Sequence, residues 1–245
     1  MELRAEQLTK EYRKGKRALD RFSYTFREGI YGLLGPNGAG KSTLMGILTT
    51  NIKATEGKLY IDGQESLSMG KEYRRHIGYM PQQQKLYEDF SLVRFLHYIA
   101  SLKGVKSEDG SIDEIIRAVN LWDVRGDSIG TYSGGMRQRV LLAQTLVGNP
   151  DILIMDEPTV GLDPRERVNF RELVSNVAKA KTVIIATHIV SDLEKLASEI
   201  IFLNHGKIVE SGTLQELYEK YRGEGEPSVE KIYLNLGMEN HDDTV

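Results

Sequence analysis

Apolar and polar residues alternate over positions 2–8 and again over 19–26, the pattern of antiparallel strands with one buried face. Further along, the apolar runs become continuous, at 30–34, 152–155, 183–186 and 200–203. Runs of this kind read as central parallel strands covered on both faces. Helical spacing follows some of them, at 42–48, 164–178 and 190–197, so strands and helices alternate as in an α/β fold. Positions 92–147 differ, holding three helical patterns and no convincing strand. This predicts a helical subdomain, at about 84–148, inserted into the α/β core. A last helix is expected at 214–221, and Gly223-Glu224-Gly225-Glu226-Pro227 then reads as a linker. It divides residues 1–222 from an acidic tail, 223–245, that carries one weakly periodic apolar patch at 229–236. Between the first two strands, Arg13-Lys14-Gly15-Lys16-Arg17 reads as a solvated basic hairpin tip within reach of a phosphate or a lipid headgroup.

Composition narrows the chemistry. The chain of 245 residues is 40% hydrophobic and 27% charged, an ordinary globular balance. Its net charge of −3 counts against a general nucleic-acid binder. It has no cysteine, so disulfides, thiolate zinc sites, iron–sulfur clusters and cysteine nucleophiles are excluded. The first residues are polar and lack the apolar run of a signal peptide. No stretch approaches the ~20 consecutive apolar residues of a spanning helix. The expectation is a chain soluble by itself and cytoplasmic, with any membrane role coming through a partner.

The most specific motif is Gly35-Pro36-Asn37-Gly38-Ala39-Gly40-Lys41-Ser42-Thr43, which matches G-x-x-x-x-G-K-[ST] and lies between a predicted strand and a predicted helix. Its glycines let backbone N–H groups turn inward around phosphate oxygens, and the helix N-terminus adds its positive end. Lys41 supplies a charge for β- and γ-phosphates, and the Ser42 hydroxyl suits Mg²⁺. A second strand, 152–155, ends in Asp156-Glu157. Alone, that pair could be a solvated strand end. Behind a phosphate loop, Asp156 fits a Mg²⁺-holding acid and Glu157 a group that polarises an attacking water. Ser133-Gly134-Gly135 opens a helix about twenty residues earlier, with Ser133 in N-cap position.

Taken together, these motifs resemble those of the ATP-binding cassette (ABC) ATPases, in the family's order and over nearly the whole chain. The resemblance implies a P-loop ATPase with a RecA-like parallel core, an N-terminal antiparallel β subdomain and an inserted helical subdomain, binding ATP and Mg²⁺. It places Tyr12 on adenine and Gln82 at the Mg²⁺ and attacking water, with Gln83 and Gln84 next to it leaving the register open by one. It makes Asp156 and Ser42 metal holders, Glu157 the catalytic carboxylate and His188 the histidine that senses the γ-phosphate. Ser133, Gly134 and Gly135 are implied to contact ATP held by an opposing subunit, and Asp163 in Gly161-Leu162-Asp163 to join the two sites. Tyr132 and Met136 depart from the commonest form of the signature, but the Ser-Gly-Gly is intact. His76, His97, His205 and His241 show no metal-ligand spacing, and Trp122 reads as packing.

The resemblance extends to ATPases that serve ABC-2-type exporters of drugs, antimicrobial peptides or lipids. It implies a homodimer or heterodimer of ATPase subunits and a separate integral membrane permease, on whose cytoplasmic face the chain would sit. Residues 86–92 are expected to receive the permease, with Tyr87 and Phe90 as anchors. The alternative, an ABC ATPase acting on DNA or the ribosome, is disfavoured by the lack of coiled-coil heptads, cysteines and a second cassette.

Overall fold

The alternating N-terminal segments pair with each other and build a sheet separate from the continuous apolar runs. In the computed structural model, which describes residues 1–12, 15–106, 109–222 and 227–238, the strands are β1 (Leu3–Glu11), β2 (Arg17–Phe26), β3 (Gly29–Leu34), β4 (Glu56–Ile61), β5 (Gln64–Glu65), β6 (Ile77–Met80), β7 (Ile152–Asp156), β8 (Thr182–Ala186), β9 (Glu199–Asn204) and β10 (Lys207–Thr213). The helices are α1 (Lys41–Leu48), α2 (Ser66–Met69), α3 (Lys71–Arg75), α4 (Leu92–Lys103), α5 (Asp109–Ala118), α6 (Gly134–Leu146), α7 (Pro164–Val177), α8 (Val190–Leu196), α9 (Leu214–Lys220) and α10 (Val229–Asn235).

One sheet has the order β2-β1-β4-β5 and is antiparallel. The other has the order β10-β9-β3-β8-β7-β6, parallel except for the β9–β10 edge. The reason for the difference lies in the burial patterns. In β7 and β8 every residue but the terminal Asp156 is buried, so both faces need cover, and helices supply it. β1 and β2 bury mainly one face. That face closes on α1 through Phe22, Phe26, Leu44 and Leu48, which share a core with Leu33 and Ile184.

Strands β4, β6 and β10 have weak local patterns. β4 begins with three exposed residues, β6 is four residues long, and β10 is an edge strand without a fully buried residue. Pairing with established strands, rather than periodicity, makes them strands. Among the described residues, positions 92–147 hold α4, α5 and α6 and no strand. They pack through Phe95, Leu96, Ile112, Ile116 and Val140. Beyond α9, whose Thr213 and Glu216 form a reciprocal capping box, the residues set apart above as a tail include α10. Val229, Ile232 and Met238 are buried, and the Val229 amide donates to Glu194 Oε1 of α8 at 2.6 Å. The apolar patch is periodic because it is the inner face of this helix. Gly223–Glu226 of the linker, Arg13 and Lys14 of the basic tip, and His241 lie outside the described residues.

Candidate functional site

Ligand sites in parallel sheets form beyond the carboxyl ends of strands, and the predicted residues gather there. β3 runs directly into the loop 35–40, which is shaped by its neighbours. A Cβ on Gly35 would stand 2.2 Å from the Leu203 carbonyl oxygen, and one on Gly40, at φ +109, 2.4 Å from that of Ala18. Only glycine fits either position. Lys41 then starts α1, and its ammonium donates to the carbonyls of Gly35 at 2.5 Å and Pro36 at 3.1 Å. Burial pushes the Lys41 ammonium below its usual pKa, while Glu157 and Asp156 oppose the shift. A cation held inside a glycine loop, next to two acids, is poised to exchange carbonyl partners for phosphate oxygens.

The loop walls a cavity of about 700 Å³. Asn37, Gly38, Ala39, Gly40, Lys41, Ser42 and Thr43 line it together with Asp156, Glu157, His188, Tyr12 and Gln82. Gly35 is not part of the lining, and its carbonyl accepts from Lys41. The Tyr12 ring is exposed, and the Lys10 ammonium lies over it at 5.3 Å from the ring centre.

Asp156 ends β7 in register with Ala186 of β8. Burial raises its carboxyl above the usual carboxylate range, Glu157 adds to the rise, and Lys41 opposes it. Glu157 follows at φ +49, in the left-handed region, and its amide donates to the Ala186 carbonyl at 2.8 Å. Its carboxylate accepts from Thr187 Oγ1 at 2.9 Å and from the His188 amide at 3.2 and 3.3 Å, and its Oε1 lies 2.9 Å from His188 Nδ1. Adjacent strand ends thus join residues 31 positions apart.

Ser133, Gly134, Gly135 and Asp163 do not line this cavity. Ser133 caps α6 by accepting from the Met136 amide at 3.2 Å, and Asp163 caps α7 by accepting from the Glu166 amide at 2.9 Å. The glutamine register is narrowed by geometry. Gln82 lines the nucleotide-side cavity, whereas Gln83 and Gln84 do not, and Gln84 exchanges hydrogen bonds with Gln144 at 2.6 and 3.1 Å. Lys16 and Arg17, read from the sequence as a solvated tip within reach of a phosphate, line the cavity, with Arg17 also paired to Glu11 and Asp20. Thr187, missed in the sequence, grips Glu157 from behind the lining and was signalled only by its place before His188.

The chain matches the family described as ABC transporter over residues 19–160, more than half its length. It is 38% identical over 215 residues to ABC transporter A family member 8 of Dictyostelium discoideum, covering 86% of this chain and 26% of that protein. It is equally identical, over 215 residues, to the Bacillus subtilis ABC transporter ATP-binding protein YhcH, covering 85% and 68%. Identity is 33% over 213 residues to the daunorubicin resistance ATP-binding protein DrrA3 of Streptomyces coeruleorubidus, covering 85% and 67%. The chain therefore spans about a quarter of the first relative's length and about two thirds of the other two. Among solved structures, an ATP-binding subunit of an ABC transporter superposes with a TM-score of 0.84 at 25% identity, covering 97% of this chain and 100% of that one. A dimeric bacterial ABC transporter cassette gives 0.75 at 27% identity, covering 86% and 98%. The P-loop cavity, the acid pair at the end of β7 and these likenesses lead to one conclusion: the chain belongs to the ABC transporter family, as a nucleotide-binding ATPase cassette.

Proposed function

We propose that this chain hydrolyses ATP to drive substrate movement, in the export direction, through a separate ABC-2-like permease on the cytoplasmic face of a membrane. The observation that carries the reading is the division of its functional residues. Lys41, Asp156, Glu157 and His188 converge on one cavity, while Ser133, Gly134 and Asp163 face outward, exposed. A second cassette, identical or related, laid head-to-tail would bring its own Ser133-Gly134-Gly135 to the nucleotide of this one. The superposition on a bacterial Atm1-family ABC exporter, with a TM-score of 0.81 at 25% identity, supports export. Among the described residues, no helix is long and apolar enough to cross a membrane. The ATPase unit is residues 1–222, with the helical subdomain at about 84–148.

In this scheme Tyr12 holds adenine, the 35–43 loop wraps the phosphates, and Lys41 leaves the Gly35 and Pro36 carbonyls to meet them. Ser42, Asp156 and Gln82 are oxygen donors on the same cavity with one carboxylate among them, a set that fits Mg²⁺, which keeps water and substrate phosphates among its ligands. When bound, Mg²⁺ would neutralise charge on the phosphate oxygens. Glu157 polarises the attacking water and takes its proton; the Thr187 hydroxyl and His188 amide hold the carboxylate in place. His188 presents its imidazole to the γ-phosphate. Asp163 stands where the two cassettes meet.

The permease would seat near Tyr87, Phe90 and Tyr98, whose rings lie 5.2 to 6.0 Å apart. Tyr87 and Tyr98 are exposed although aromatic, and the loop that carries Tyr87 follows Gln82. The test is to purify the tagged chain from detergent-solubilised native membranes. A polytopic membrane protein should co-purify, and Tyr87→Ala or Phe90→Ala should abolish export while ATP binding persists. Recovery of ribosomes or DNA in place of a membrane protein would overturn the proposal.

A further inference from the structure

Buried polar side chains gather behind Glu157. Thr159, Thr187 and Asp192 are 2%, 1% and 2% exposed. Thr187 serves the Glu157 carboxylate directly, but Thr159 and Asp192 do not line the nucleotide cavity. Thr159 Oγ1 donates to Asp192 Oδ2 at 2.6 Å. The other oxygen of Asp192 accepts from Arg171 Nη1, and these two charged side chains are 4% and 13% exposed. Three elements meet at one carboxylate: the turn that follows Glu157, α7, and α8, which starts two residues after His188. From the opposite side, Gln138 Nε2 of α6 donates to the Pro158 carbonyl.

Stability alone does not account for this arrangement. Taking a carboxylate and a guanidinium out of water is costly, and an apolar pair of the same volume is often no less stable. An apolar pair cannot fix direction, whereas a charge-assisted hydrogen bond can. The direction matters here because Glu157 sits at φ +49, a conformation that persists only when its surroundings over-determine it. The carboxylate of Glu157 must also keep its place against the His188 amide, on a different strand end. Glu157 already bonds Thr187 and His188 directly, and Asp192 of α8 adds a second tie behind the cavity through Thr159.

We propose that Asp192, acting through Thr159, is a positioning residue for hydrolysis: it registers the turn carrying Glu157 against the segment carrying His188. The inference rests on Glu157 being the base. Thr159→Val removes the hydroxyl at nearly constant volume and leaves the Asp192–Arg171 pair in place. In the full chain, its kcat for MgATP should fall about tenfold, because small misplacements of a catalytic group are costly. Its KM should stay within about twofold, because the phosphate loop is untouched. Thr159→Ser keeps the donor and should restore kcat. Asp192→Asn, with its shape kept and its charge removed, should show the same split. Wild-type kcat in Thr159→Val or in Asp192→Asn overturns the proposal, as does a Thr159→Ser variant as slow as Thr159→Val. Glu157→Gln run alongside separates the two readings. Wild-type turnover there removes the base assignment itself. Its loss, together with an unimpaired Thr159→Val, removes only the positioning role.

Discussion

The phosphate loop and the Ser133-Gly134-Gly135 segment are both glycine-rich starts of helices, yet they stand in opposite environments. In the loop the glycines answer to their own chain, since a Cβ at Gly35 or Gly40 would run into a backbone oxygen. At Gly134 a Cβ would meet nothing within 4 Å, and the backbone is not in a conformation that favours glycine. At the buried Gly135 it would meet the flexible end of Glu166. Glycine in a helix is less favourable than alanine by up to ~1 kcal/mol. Gly134, at the first position of α6, bears less of that cost, and among the described residues no neighbour calls for a glycine there. A glycine that its own neighbours do not require is what the proposed head-to-tail contact would call for. On that proposal, the loop is the half-site its own fold shapes, and Ser133-Gly134-Gly135 is the half offered to a second cassette.

The largest effect should come from breaking the completed half. Glu157→Gln keeps the shape of the side chain and loses its basicity. Hydrolysis should drop by about 10²–10⁴, the usual worth of a general base. ATP should still bind, and the variant should accumulate as an ATP-loaded dimer on size-exclusion chromatography. Turnover at the wild-type rate would remove Glu157 from the chemistry.

Next in size, Lys41→Ala removes the cation from the loop. A charge-assisted contact is worth ~1.5–3 kcal/mol, so ATP affinity should fall roughly tenfold to over a hundredfold by calorimetry. Mixing this variant with Ser133→Arg tests whether the two halves belong to different chains. In the mixed dimer one composite site keeps both native residues, and binding should recover over either variant alone. Without recovery, the head-to-tail arrangement fails.

The smallest and most discriminating change is Gly134→Ala. In the isolated chain it should leave the fold intact and shift Tm by no more than about 2 °C, because Gly134 is the first residue of α6 rather than an interior one. ATP turnover should nonetheless fall, by about tenfold, if the methyl group enters the space of a partner's nucleotide. A variant that folds normally and is fully active would show that this open face contacts no ligand.

How much of this was legible beforehand depended on how far apart in the chain the cooperating residues lie. The loop 35–43 could be read outright, because phosphate binding there uses consecutive backbone amides and one adjacent lysine. Asp156-Glu157 was legible as a strand end because the preceding residues are apolar without interruption. The helix at 229–235 was visible only as a weak periodicity, since its apolar face acquires meaning when α8 lies beneath it. Thr187 gave no signal of its own beyond its place before His188. Its hydroxyl serves Glu157 only because β7 and β8 are neighbours in register.

By itself, then, the sequence determined the α/β class, the phosphate loop, the paired acids and the order of the motifs. Each of these is encoded in a short contiguous run whose periodicity or backbone chemistry needs no distant partner. The tertiary structure alone decided that β4, β6 and β10 are strands, that Gln82 rather than Gln84 faces the cavity, and that Lys16 and Arg17 reach it. It also decided that Asp192 of α8 meets Thr159, two residues after Glu157, and Arg171 of α7. All of these depend on residues brought together by sheet register and helix packing, and such contacts are set by the whole core rather than by any local pattern.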